Sequence, residues 1–232
     1  MEIILKLLAL DTSTEACSVA LHQDGAVIAL DEVCPQQHSK RVLPMVQQLM
    51  ATAGIRLQDL DGIVFGRGPG SFTGVRIGVG VCQGLAFGAD LPVFGVSTLA
   101  AMAQAAQRLH QATEVVAAID ARMAEVYFAQ YCLSEQGLMM PLSDEIARKP
   151  TELPECLVAA NAFAVGTGFV TYATQFNAWA PLTVCQDVLY PSAQDMLTLA
   201  TSAWQAGEFI AAELAEPIYV RDEVTWQKLP GR

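Results

Sequence analysis

The sequence predicts an α/β protein of two duplicated lobes, each a mixed sheet flanked by helices, with a cleft between them. Apolar runs of strand length alternate with segments of helical periodicity along much of the chain. A strand ending in an aspartate, followed closely by a second strand, occurs at Asp11 with Glu15 and again at Asp120 with Glu125. A strand-to-glycine passage also occurs twice, at Phe65-Gly66-Arg67-Gly68 and more weakly at Val165-Gly166-Thr167-Gly168. The implied duplication has a spacing of about a hundred residues, which puts Asp11 and Asp120 on facing hairpins at the cleft.

The elements follow in order. Ile3 to Leu10 reads as a buried strand ending at Asp11, and Ala16 to Leu21 as the next strand. Asp24-Gly25 then makes a tight hairpin turn that returns through Val27 to Val33. Pro35 precedes a helix whose apolar positions Val42, Leu43, Val46, Leu49, Met50 and Ala53 have helical spacing. Pro44 is expected in its first turn and Gly54 at its stop. Ile63 to Phe65 is a central buried strand broken by Gly66, Gly68, Pro69 and Gly70, with Ser71 or Thr73 capping the helix that follows. Leu91 to Val96 is a short strand, and Ser97 caps a helix through about Leu109. In the second lobe, strands run over Val115 to Ile119 and Val126 to Cys132, with a turn at Ser134 to Gly137. Ser192-Ala193-Gln194-Asp195 reads as a variant capping box for a helix from Met196 to Ala206, stopped by Gly207. The tail, with Tyr219 and Trp226, is too rich in large side chains for a free linker and is expected to pack back. The lobes divide as residues 1–110 and 111–232.

The helix from Gly74 to Gly88 has an odd composition. It is apolar nearly all round, with Arg76 and Gln83 as its polar seam. On a helical wheel Gly74, Gly78, Gly80, Gly84 and Gly88 fall on one broad side with Ile77 and Val81, opposite Val75, Val79 and Ala86. Each interior glycine costs about 1 kcal/mol of helix propensity relative to alanine. A face without Cβ atoms lets another backbone come close, which points to packing on the chain's own sheet and on a second surface.

Composition narrows the function. Thirteen basic against twenty-four acidic residues give a net charge of -11, which opposes a phosphate backbone, so any RNA would need a basic partner. The 53% apolar share implies a large core or an apolar face awaiting a partner. No uninterrupted apolar run reaches the roughly 18 residues of a membrane span, and Lys6 interrupts the short run at the N-terminus, so a cytoplasmic protein is expected. Six scattered cysteines and three distant histidines, His22, His38 and His110, suggest neither a disulfide frame nor a metal site. The P-loop, the dinucleotide fingerprint and the hydrolase elbow all fail against the letters: there is no lysine between Lys40 and Lys149, Ser71 stands where a third glycine is needed, and Leu99 follows Gly95-Val96-Ser97-Thr98. No catalytic nucleophile or cofactor is announced.

Four stretches together resemble one family. Asp11-Thr12-Ser13-Thr14 with Cys17-Ser18-Val19-Ala20-Leu21, the block from Gly68 to Gly78 (GPGSFTGVRIG), Asp120-Ala121-Arg122-Met123-Ala124-Glu125-Val126-Tyr127, and Pro217-Ile218-Tyr219-Val220-Arg221 strongly resemble the TsaB, or YeaZ, family nearly end to end. The GPGSFTGVRIG block is the specific part. The resemblance implies an actin-like ATPase (ASKHA) fold and a part in making the threonylcarbamoyladenosine next to the anticodon of certain tRNAs. It implies a non-catalytic role beside a paralogue, TsaD, which carries a metal-binding histidine pair and transfers the threonylcarbamoyl group. A P-loop ATPase, TsaE, joins them, and tRNA is met only through the complex. The helices after the third and fourth strands would build the dimer contact, with TsaD or in a homodimer when alone, through Val42, Leu43, Val46, Leu49, Met50, Ala53, Val75, Arg76, Val79, Gly80, Gln83, Gly84 and Phe87. The actin-like phosphate turns would map onto Asp11, Thr12, Ser13 and Asp120, and the adenosine-side glycines onto Gly166 and Gly168, as a vestigial nucleotide cleft. The competing reading is an active actin-fold ATPase or kinase using Asp11 and Asp120, and a peptidase lacks any nucleophile and base pairing.

Overall fold

The computed structural model describes residues 5–176 and 181–221; Trp226 lies outside them. The first half runs β1 (Lys6–Asp11), β2 (Ala16–Gln23), β3 (Ala26–Val33), α1 (His38–Ala53), β4 (Gly62–Gly68), α2 (Phe72–Ala89), β5 (Val93–Ser97) and α3 (Thr98–His110). The second half runs β6 (Glu114–Asp120), β7 (Val126–Leu133), β8 (Met139–Pro141), β9 (Ile146–Arg148), β10 (Phe163–Val165), α4 (Thr167–Thr171), α5 (Ala173–Phe176), β11 (Thr183–Val184) and α6 (Ala193–Ala206). The first sheet has the order β3-β2-β1-β4-β5 and the second β11-β10-β6-β7-β8, with β9 also on β7. In both, an antiparallel hairpin is followed by two parallel strands on the far side of the first strand. The duplication read from the two aspartates is therefore a duplication of topology. It is imperfect, because the helix after the third strand has no full counterpart in the second half and α4 has a single turn.

Alternation along β1 explains the layering. Leu8 and Leu10 face α1 and α2, in a core with Val42, Val46, Leu49, Val75 and Val79. Leu7 and Ala9 face the other way, onto Ala193, Met196, Leu197 and Ala200 of α6. In the second sheet Val115, Ala117 and Tyr131 pack with Leu99 and Met102 of α3, while Val116, Ala118 and Phe128 pack with Phe169 and Phe176. The sheets thus fall on either side of residue 110, but the helices cross that line: α3 covers the second sheet and α6 the first. They meet through Arg108, which grips the wholly buried Asp195 at 2.7 and 2.9 Å. Burial raises the Asp195 carboxyl above the usual carboxylate range against the opposing pull of Arg108.

Several local expectations need correction. Helix α1 begins at His38, so Pro44 is its seventh residue, inside the helix rather than in its first turn. The polar residues ahead of Val42 carry no apolar period to announce that extra turn. The Ser192 capping box does not form. The α6 N-terminus is capped instead from another element, with Ala193 N donating to Ser18 Oγ of β2 at 2.6 Å, and the Asp195 side chain is taken by Arg108. Ser71 and Ser97 do cap α2 and α3, and Asp24 and Gly25 both take positive φ, as a two-residue hairpin turn requires.

The glycines of α2 do not share one side. Gly74 and Gly78 face inward with Val75, Val79, Cys82 and Ala86. A Cβ on Gly74 would stand 2.2 Å from the Thr12 carbonyl oxygen, and one on Gly78 2.9 Å from Thr12 Oγ1. Gly80, Gly84 and Gly88 face outward, and a Cβ at any of them would meet nothing within 4 Å among the described residues. The mean directions of the two sets differ by about 100° on the wheel, which a reading by glycine count alone merges. Despite Arg76 and Gln83, α2 as a whole is, by length and composition only, long and apolar enough to cross a membrane. Its inner face, however, is part of the core under the first sheet.

The two glycine sets predict opposite responses to a methyl group. Gly74→Ala should lower stability by about 1–3 kcal/mol or more, because backbone must move to admit it. Gly84→Ala should raise it by up to about 1 kcal/mol. Urea melts of dilute protein check both signs.

Candidate functional site

The Asp11 turn is built by close backbone approach. Strand β1 delivers Asp11 to the end of the first sheet, where its carboxylate accepts from Ser13 N at 2.9 Å and Ser13 Oγ at 2.8 Å. Gly66 of β4 lies against it, and a Cβ there would fall 1.7 Å from Oδ2. The glycine turn into α2 then closes over the top. Ser71 N donates to the Ser13 carbonyl at 2.7 Å, Thr12 Oγ1 donates to the Gly74 carbonyl at 2.7 Å, and a Cβ on Gly70 would sit 2.3 Å from Ser13 O. Thr98 Oγ1, at the start of α3, donates to Ser13 Oγ at 3.0 Å. Asp11 is left 1% exposed. Burial pushes its carboxyl up to about 6, and the two Ser13 bonds hold it from rising further.

Its counterpart Asp120 ends β6 in a different environment. Its carboxylate accepts from Tyr172 OH at 2.9 Å and from Arg122 N at 2.9 Å, and it pairs with Arg122 Nη1 at 3.2 Å. The same guanidinium reaches Glu15 of the first lobe at 3.1 Å, so Arg122 bridges the lobes. Arg122, Met123 and Ala124, at the hairpin tip, all take positive φ. Between the lobes lies a cavity of about 420 Å³ whose walls include Ser13, Gly70, Ser71, Asp120, Arg122 and Arg221.

The structure thus brings Ser13 and Asp120 to one cleft and places Asp11 and Thr12 beneath the glycine turn. Gly166 and Gly168 lie against β6: a Cβ on them would stand 2.2 and 2.9 Å from the Ala118 carbonyl oxygen, so they let α4 lie directly on that strand. Sequence reading missed Arg122 and Arg221 as cleft residues. Arg221 donates to the Ala121 carbonyl at 3.1 Å and pairs with Glu125. The repeated aspartate-glutamate pattern had marked the acids, and three of the four, Glu15, Asp120 and Glu125, have one of these arginines as a partner.

The helix residues expected at a contact divide by burial. Val42, Val46, Leu49, Met50, Val75 and Val79 are buried in the chain's own core; Leu43, Arg76, Gly80, Gly84 and Phe87 are exposed, and Ala53 and Gln83 lie between. The polar seam of α2 holds the C-terminal segment. Gln83 Nε2 donates to the Ala215 carbonyl at 3.1 Å, and Arg76 stacks over the Phe72 ring at 3.8 Å while donating to Tyr219 OH at 2.7 Å. Beyond this clasp, the outward strip of Gly80, Gly84 and Gly88 with Phe87, 61% exposed, is left uncovered by the described residues.

A family model described as "TsaD: tRNA N6-adenosine threonylcarbamoyltransferase" matches residues 30–227. The chain is 48% identical to the tRNA threonylcarbamoyladenosine biosynthesis protein TsaB of Escherichia coli K12, over 98% of its own length and 100% of that protein's. It is 49% identical to the TsaB of Haemophilus influenzae, with 98% of each chain covered. The chain belongs to the TsaB family. YeaZ from Pseudomonas aeruginosa superposes with a TM-score of 0.88 at 47% identity, covering 93% of this chain and 99% of that one. The fold is the actin-like one that the family resemblance implied. The three histidines stand on β2, α1 and α3, and no two of them share an element.

Asp11 gives a pH signature. Its proton is held more tightly in the folded chain than in the unfolded one, so its contribution to stability is complete below about pH 4 and is lost as pH rises through about 6. Asp11→Asn, which keeps the acceptor for Ser13, should therefore be more stable than the wild type at pH 7 by up to roughly 3 kcal/mol, with the difference gone by pH 4. Paired urea melts across that range test it; a difference independent of pH would contradict the burial argument.

Proposed function

We propose that the chain is a non-catalytic scaffold in the formation of threonylcarbamoyladenosine next to the tRNA anticodon. It binds and stabilises the catalytic paralogue TsaD through the outer face of α2 and so allows the ATPase TsaE to join. One observation carries this reading: three glycines on the outer face of a long helix meet no other segment among the described residues. Gly80 and Gly84, interior to the helix, forfeit roughly 2 kcal/mol of helix propensity that no contact among the described residues offsets. A second backbone lying on the strip would supply the missing contact. In the absence of TsaD a second copy would use the same strip, giving a homodimer. The cytoplasmic setting fits six unpaired cysteines, and a net charge of -11 fits a subunit that meets tRNA only through its partners.

The sealed Asp11 turn supports the same reading. An actin-fold ATPase needs that turn open to phosphate, and here the Ser71 and Gly74 backbone occupies it. The cleft beside Asp120 favours the alternative of residual nucleotide turnover, so phosphate release by the purified chain distinguishes the two. The scaffold reading expects none above background; turnover abolished by Asp11→Ala would defeat it.

Gly84→Leu tests the contact. Because a side chain at Gly84 meets open space, the variant should fold with a melting temperature at or above the wild type. Its affinity for TsaD should fall about thirtyfold or more, the equivalent of roughly 2 kcal/mol. Titration of the variant against TsaD with unchanged affinity would remove α2 from the interface.

A further inference from the structure

Outside the cleft and the glycine strip, three metal-ligating side chains of different chemistry come together at the far end of the second lobe. His110 is the last residue of α3, Cys185 follows β11, and Asp187 stands two residues on. Their donor atoms all lie within 4.8 Å of one another. His110 Nε2 is 3.0 Å from the Asp187 carboxylate, and its ring stacks on Phe163 at 5.6 Å, nearly parallel. The segment that bears the other two donors is tied down at both ends, by Cys185 N to the Ala164 carbonyl and by Gly166 N to the Val188 carbonyl, each 2.9 Å. The nearby cation Arg108 is committed to Asp195.

We propose that His110, Cys185 and Asp187 bind a thiophilic divalent cation, for which zinc(II) is the matching ion, with water at the fourth position. A tetrahedral zinc with bonds of about 2.0–2.3 Å sets its ligand atoms about 3.3–3.8 Å apart, so the three donors close on an ion by side-chain adjustment alone. One imidazole, one thiolate and one carboxylate make a neutral complex with a divalent ion. The thiol, which burial pushes up to about 11, is protonated at neutral pH, so binding releases one proton to solvent. The C-terminal end of α3 adds the negative pole of a thirteen-residue helix beside the ion. Carboxylate-only sites suit magnesium or calcium; a thiol and an imidazole select against both. The site stands apart from the TsaD-binding reading, and neither depends on the other.

Titration of the reduced, tag-free full chain with cobalt(II), and separately with zinc(II), tests the site. One equivalent should bind, with a thiolate-to-cobalt charge-transfer band and a rise in melting temperature. Cys185→Ser should abolish the band, and His110→Ala, a change at a partly exposed position, should weaken zinc at least tenfold while leaving the metal-free melt close to the wild type. Cys132→Ser should change neither. An absent band, zinc affinity unchanged in His110→Ala, or a band lost with Cys132→Ser would each overturn the assignment.

Discussion

The contact on which the rest depends is backbone against backbone. Thr12 and Ser13 press their carbonyl oxygens into positions where Gly74 and Gly70 would otherwise carry Cβ atoms. Two hydrogen bonds of 2.7 Å fasten the contact. This seats the N-terminus of α2 on the end of β1 and buries Asp11. Overpacking costs of about 1–3 kcal/mol apply even to one methyl group in such a place, so the glycines there are required by the fold itself.

Seating α2 this way fixes what its opposite face can do. With Val75, Val79, Cys82 and Ala86 committed to the sheet, the face turned outward is the one bearing Gly80, Gly84, Gly88 and Phe87. The Arg76–Tyr219 and Gln83–Ala215 bonds then fold the C-terminal segment along one border of that face. The segment continues to Arg221 and its bond to the second lobe at Ala121, so helix, tail and cleft hairpin are one connected assembly. A partner seated on the strip would touch α2 directly and the interlobe hairpin through the tail.

Much of this was legible in the letters because it rests on local chemistry. Asp24-Gly25 announces its hairpin, Ser71 and Ser97 announce their caps, and the strand-to-aspartate pattern announces the duplicated sheets. The residues that sequence reading misplaced depend on distant partners. Ser192 lost its capping role to Ser18, far away in sequence, and Asp195 went to Arg108. Gly166 and Gly168 also admit the Ala118 backbone, a contact that their place in the sequence does not announce. The same limit hid the Arg122 bridge and the His110, Cys185 and Asp187 group. A wheel shows that α2 is glycine-rich all along, yet it cannot tell which glycines meet the chain's own turn and which meet nothing.

The central claim is that one helix uses its inner glycines to hold its own fold and its outer ones to meet a partner. Hydroxyl-radical footprinting of the wild-type chain with and without TsaD measures this most directly. The account predicts that oxidation of Phe87 falls on binding, while exposed Met140 and Leu157 of the second lobe react at unchanged rates. Oxidation of Phe87 at the same rate in a demonstrably formed complex would contradict it.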